Sequence, residues 1–223
     1  MRNAFEETPW KRPEFEFSES RVKKLARDRR PVIAPPVPNE ELAEFLYEMF
    51  TTPAVLAERY SSDQLGAGFW FIFGVESSYC VHARQKDVTR SIKLAWIREI
   101  GTLYERLFAN VCDDSLGHLS ECGSNSVNGA VYMMWDMDCL PGRPDENDPD
   151  AEAMTNAVFE VLDRALEIDQ AACQESALHG LGELHHWYPD RVRSVLRPRL
   201  QGRRFARSEL ADYAKQAIEG NVM

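Results

Sequence analysis

Apolar residues recur along this chain at spacings of three and four, the period that gathers them on one face of an α-helix. The pattern begins after Asn39, an N-cap residue followed by Glu40 and Glu41, whose carboxylates complement the amino end of a helix. Leu42, Phe45, Leu46 and Met49 then mark one face, and Thr52-Pro53 reads as the next helix start. Ser61 with Gln64 three residues on has the capping-box signature. It opens Leu65–Val75, a run without charge that is expected to be buried on every side as a helix; a central strand over Phe69–Val75 is the competing reading. From Val88 to about Val111, a single stripe contains Val88, Ile92, Trp96, Ile100, Leu103, Leu107 and Val111. Asp87 precedes it as a cap, and Arg90, Lys93, Glu105 and Arg106 lie off it. A Gly/Ser/Asn-rich loop follows, then a short helix marked by Val127, Val131, Met134 and Trp135, then an acidic loop punctuated by Pro141, Pro144 and Pro149. Four more helices are predicted near 150–167, 170–187, 190–200 and 208–219. Pro189 starts the third, Ser208 caps the fourth and Gly220 ends it.

Helices in succession with no alternating strand pattern predict an all-α domain over residues 39–223. Residues 1–38 read instead as an extended arm, with six of the chain's twelve prolines, including Pro35-Pro36-Val37-Pro38. Phe5, Trp10, Phe15 and Phe17 in that arm predict that it packs on the domain. Within the domain, residues 171–200 carry small and apolar positions Ala177, Leu178, Gly180, Leu181, Gly182 and Leu184. Pro189 follows at a turn, then Val192, Val195, Leu196 and Leu200. Small residues let one helix press on the next, and the proline pre-sets a first turn. This segment resembles a HEAT or armadillo helical repeat unit. The resemblance implies an α/α superhelix that serves as an interaction scaffold, although some proteins of such folds are enzymes acting on DNA. The other helices show no repeat of that length, so an irregular helical bundle is the alternative fold.

The chain has 223 residues, 44% hydrophobic and 28% charged, with a net charge of −10. That size supports one domain with a buried core. Five scattered cysteines exclude a dense disulfide framework. No apolar run approaches the roughly 18–20 residues of a membrane span, and no signal-peptide pattern opens the chain, so a cytoplasmic, membrane-free protein is expected. The charge is segregated. Residues 21–30 carry net +5 and residues 191–207 net +7, while residues 113–170 carry net −12. Either these segments neutralise one another across the fold, or one of them forms a binding face.

Several residue sets have the types that carry chemistry. Arg193, Arg197 and Arg204 offer planar donors to phosphate or carboxylate, with Phe205 nearby. Trp135, Asp136 and Trp187 are the aromatic and acidic groups that a nucleic-acid-modifying site would add. His179, Glu183 and His186 follow one side of a helix, with Glu175 one turn earlier. They offer part of a metal site, but neither His-Glu-x-x-His nor a second Glu-x-x-His is present, and a polar outer face explains them as well. Cys112, His118, Cys122 and Cys139 lack the paired knuckle of a zinc site. Asp136 and Asp138 are alternatively a solvated helix end or a cation pair, and Gly66, Gly68 and Gly74 fit close helix packing better than a phosphate loop. The expectation is a non-enzymatic domain without a cofactor that binds another protein through a charged concave surface. Nucleic-acid binding or modification is the second reading, and a metal-dependent helical-bundle enzyme the third.

Overall fold

The computed structural model describes residues 37–75, 77–121, 125–137, 147–202 and 205–222. The expected arm, apart from its last two residues, lies outside them, as do Arg204, Cys122, Cys139 and Asp138. The described residues are helical, with no strand. In chain order the helices are α1 (Asn39–Thr51), α2 (Ala54–Arg59), α3 (Ser62–Phe73), the single turn α4 (Tyr79–His82) and α5 (Arg90–Leu103). Then come α6 (Ser126–Met133), α7 (Ala151–Leu166), α8 (Ala171–His185), α9 (Pro189–Gly202) and α10 (Glu209–Glu219). None is long and apolar enough to cross a membrane.

The two caps expected at Asn39 and Asp87 bind each other instead. Asn39 is the first residue of α1 and donates from Nδ2 to both Asp87 carboxylate oxygens, at 3.0 and 3.1 Å. Glu40 reaches across to the start of α5, accepting from the Thr89 backbone N at 2.6 Å and its Oγ1 at 2.9 Å. A carboxylate of one helix thus satisfies an orphan donor at the amino end of another, tying α1 to α5 where they pack. The capping box at Ser61 and Gln64 is present with both of its bonds. Gly66 sits where a Cβ would come within 2.6 Å of the Ser126 backbone, so its missing side chain is what lets α3 lie against the start of α6. The strand reading of Phe69–Val75 falls, since α3 runs to Phe73. Burial on every side falls as well: Trp70 and Phe71 are exposed.

The long predicted helix is continuous but not uniform. α5 passes into a π-helical stretch, Tyr104–Phe108, and ends with Ala109–Val111. A π turn shifts the residues that follow around the helix, which explains why Tyr104, Leu107 and Phe108 are buried while Val111, on the ideal stripe, is only partly so. Lys93, expected off the stripe, is buried and its Nζ sits 2.9 Å from Asp150 of the acidic segment.

The core gathers around α8, which packs on α6, α7, α9 and α10. Every residue from Ala171 to Gly182 is buried. Close approach is made possible by Gly180, where a Cβ would come 2.8 Å from the indole of Trp135. The polar atoms drawn inside are satisfied in series: Trp135 Nε1 donates to Tyr104 Oη at 2.7 Å, Tyr104 Oη and Ser176 Oγ lie 2.6 Å apart, and Ser176 Oγ donates to the Val131 carbonyl.

Candidate functional site

The polar residues of α8 are not an outer face. Glu175 is fully buried and His179 is 2% exposed, because α8 is enclosed by four helices. A buried carboxylate or imidazole is tolerated only with partners, and the two residues meet that requirement differently.

Glu175 is saturated. Its carboxylate accepts from the backbone N of Gly117 and of His118, each at 2.9 Å, and from His118 Nδ1 at 2.5 Å. A short 3₁₀ turn, Gly117–Leu119, aims those donors at it. His118 is therefore an internal partner of Glu175; of the cysteines read with it, Cys122 and Cys139 lie outside the described residues. Its ring also stacks on Tyr213 of α10, with centroids 4.1 Å apart and planes within 12°. Cys80 and Cys173 are buried, and burial pushes the Cys173 thiol up to about 12.

His179 is half satisfied. Nδ1 lies 2.8 Å from Tyr213 Oη, which in turn lies 3.3 Å from Tyr132 Oη. Its Nε2 is buried with no hydrogen-bond partner among the described residues. Glu183, one turn later, and Asp136, in the turn after α6, complete a group whose ligand-capable atoms lie within 4.8 Å of one another. The local fold explains the placement. Trp135 is locked against Gly180, which fixes the neighbouring Asp136 beside α8. Burial pushes the His179 pKa below its ordinary value, opposed by the charge of Asp136. Burial raises the Glu183 pKa, and Asp136 adds to the rise. Burial and the bond to Tyr132 raise that of Tyr213.

Of the metal candidates read from the sequence, the fold brings His179 and Glu183 together and sets His186 aside. α8 ends at His185, and His186 is exposed with its ring edge-to-face against Trp187. Asp136 takes the third place, which the helical spacing of α8 gives no means of finding. Tyr213 and Tyr132 were equally invisible, since they approach His179 only in the folded chain.

The surface candidates separate as well. Trp135 is buried and bonded within the core, so it has no face to offer a nucleic acid. Among the described arginines of the run, two pair with the acidic middle. Arg199 pairs with Asp163 at 3.1 Å and Glu167 at 2.6 Å, and Arg207 with Glu121 at 2.7 Å. Arg191 lies over the Phe159 ring, 3.9 Å from its centroid. Arg193 pairs with Asp190 at 3.2 Å. Arg193 and the exposed Arg197 line an open cleft on α9 with Ser194 and Pro198, while Trp187 is exposed at the α8–α9 corner. Comparison with known proteins finds no matching family model, no matching curated protein and no matching solved structure.

Proposed function

We propose that this chain binds a basic partner protein through an apolar patch at the end of α3, with the α8–α9 pair serving as one HEAT-like unit of the scaffold behind it. The observation that carries the reading is the exposure of Trp70, Phe71 and Val75, at 45%, 39% and 65%, in a helical domain whose other large apolar groups are mostly buried. Phe71 packs edge-to-face on Tyr79, centroids 5.6 Å apart. Ser77 Oγ donates to the Phe71 carbonyl at 2.5 Å, which holds the turn in place. Contiguous aromatic exposure on a held backbone is the composition of an interface centre.

Charge favours a cationic partner. The chain carries net −10, which opposes self-association, and much of the C-terminal arginine run is already paired internally. Gly74 in the same turn lies against Met137, a Cβ there falling 3.8 Å from Met137 Sδ.

The test is a reconstituted complex. A stoichiometric partner identified from the native host, then purified, binds the wild-type chain and loses at least tenfold in affinity to Trp70→Glu, while circular dichroism shows the helices intact. Equal affinity for both chains contradicts the reading. So does sedimentation that finds a wild-type homodimer dissolved by Trp70→Glu, because the patch would then be covered by a second copy.

A further inference from the structure

We infer that Asp136, His179 and Glu183 form a binding site for one divalent first-row transition-metal ion of the Zn²⁺ type, held between α8 and the turn after α6. The inference goes beyond the docking reading and does not rest on it.

Three metal-ligating groups converge: the His179 imidazole and the carboxylates of Asp136 and Glu183. Tyr213 Oη lies 2.8 Å from His179 Nδ1 and 3.3 Å from Tyr132 Oη, an arrangement in which Tyr213 can accept from Nδ1 while donating to Tyr132. With the bonds in that order Nε2 carries a lone pair, which is the tautomer a metal ion at Nε2 would select. Nε2 is buried and finds no partner among the described residues, and the His179 ring belongs to the same cluster as the carboxylates of Asp136 and Glu183. A lone pair left bare in the interior is costly, and two carboxylates close to each other repel. A cation resolves both at once. A metal-bound histidine ordinarily bonds its second ring nitrogen to an outer group that fixes the ring, and Tyr213 is in that position.

The donor set selects the ion. An imidazole with two carboxylates suits borderline first-row divalent metals, whereas Ca²⁺ and Mg²⁺ take oxygen ligands and Cu(I) seeks sulfur. Ligand atoms around tetrahedral zinc, with bonds of about 2.1 Å, lie roughly 3.4 Å apart. Closing the present spread of up to 4.8 Å falls to the side chains with freedom to turn: Asp136 is exposed and Glu183 only partly buried, while His179 is fixed. Three protein ligands leave a fourth position for water, and the exposed Asp136 provides the way in from solvent.

Zn²⁺ titrated calorimetrically into the full chain, under reducing conditions to keep its cysteines as thiols, tests the site. Mg²⁺ and Ca²⁺ serve as comparison ions. One Zn²⁺ per chain is expected, with affinity reduced at least tenfold in Asp136→Asn and in Glu183→Gln, both on side chains that are not fully buried and so leave the helical spectrum unchanged. Tyr213→Phe, which keeps the ring stack on His118 but removes the Nδ1 partner, should weaken binding by about 10–100-fold. Absence of saturable Zn²⁺ binding overturns the inference, because a proton would then be what the three groups share. Binding that both carboxylate variants leave intact places the ion elsewhere and overturns it too. Equal affinity for Mg²⁺ or Ca²⁺ overturns the transition-metal assignment.

Discussion

Two acid–histidine pairs are anchored one turn apart on α8, through Glu175 and His179, and they have opposite characters. Glu175 with His118 is closed: three donors converge on one carboxylate, and a tyrosine ring covers the imidazole. His179 with Glu183 is open: one nitrogen is bonded, the other is bare, and a second carboxylate, Asp136, is added where a donor is lacking. The residue types are the same. What separates a structural pair from a binding site here is the balance of donors and acceptors. Helix α8 supplies both because it lies at the centre of the fold, so each polar residue it carries must be matched from outside the helix.

The closed pair is the easiest to break. Glu175→Leu leaves the backbone N–H groups of Gly117 and His118 and the His118 ring without an acceptor in the interior. Loss of a buried, multiply bonded partner costs roughly 3–5 kcal/mol. The urea midpoint should fall accordingly, with the Gly117–Leu119 turn losing hydrogen-exchange protection first. A midpoint unchanged from wild type would show that Glu175 is not what holds the turn.

The open pair should respond with the opposite sign. The Glu183 pKa is raised by burial and by Asp136, so the folded chain favours the neutral acid. That preference is fully met below the ordinary value of 4.5; as pH rises through the raised pKa, the ionised carboxylate becomes a cost. Glu183→Gln mimics the neutral form, and it should raise the metal-free Tm at pH 7 by an amount worth less than about 1 kcal/mol, since the group is partly solvated. A lowered Tm would mean that the charge is compensated within the chain.

A smaller effect comes from the surface pairing that ties the basic C-terminal segment to the acidic middle. Arg207 lies 2.7 Å from Glu121 and 2.6 Å from Glu209, and its bond to Glu209 leads the groups that hold that carboxyl down at about 2. A depressed carboxylate pKa contributes stability above its ordinary value of 4.5, lost as pH falls toward 2. Arg207→Met should therefore flatten the dependence of Tm on pH between those limits. An unchanged slope would detach the pair from stability.

Much of the helical architecture was legible because the apolar period of three and four survives in α1, α5, α7 and α10. The Ser61–Gln64 box likewise needs only neighbouring residues. The environment of α8 was not legible. Glu175 and His179 read as part of a polar outer face, and nothing local announces that helices from four other parts of the chain close over them. The candidate site was half visible for the same reason. His179 and Glu183 share a face of one helix, so their spacing places them together, but that rule also included His186, which lies beyond the end of α8. Asp136 arrives through the contact between Trp135 and Gly180, a relation that no spacing encodes. The segregated charge could be read as a binding face or as internal pairing, and the bonds of Arg199 and Arg207 favour pairing.

The contrast between the two pairs is tested most directly by imidazole nitrogen NMR of the uniformly ¹⁵N-labelled chain, with and without one equivalent of Zn²⁺. Nε2 of His179 is expected to move to the position of a metal-bound nitrogen, while both nitrogens of His118, locked against Glu175, stay where they are. A His179 signal unmoved by the ion, or a His118 signal that moves in its place, would contradict that expectation.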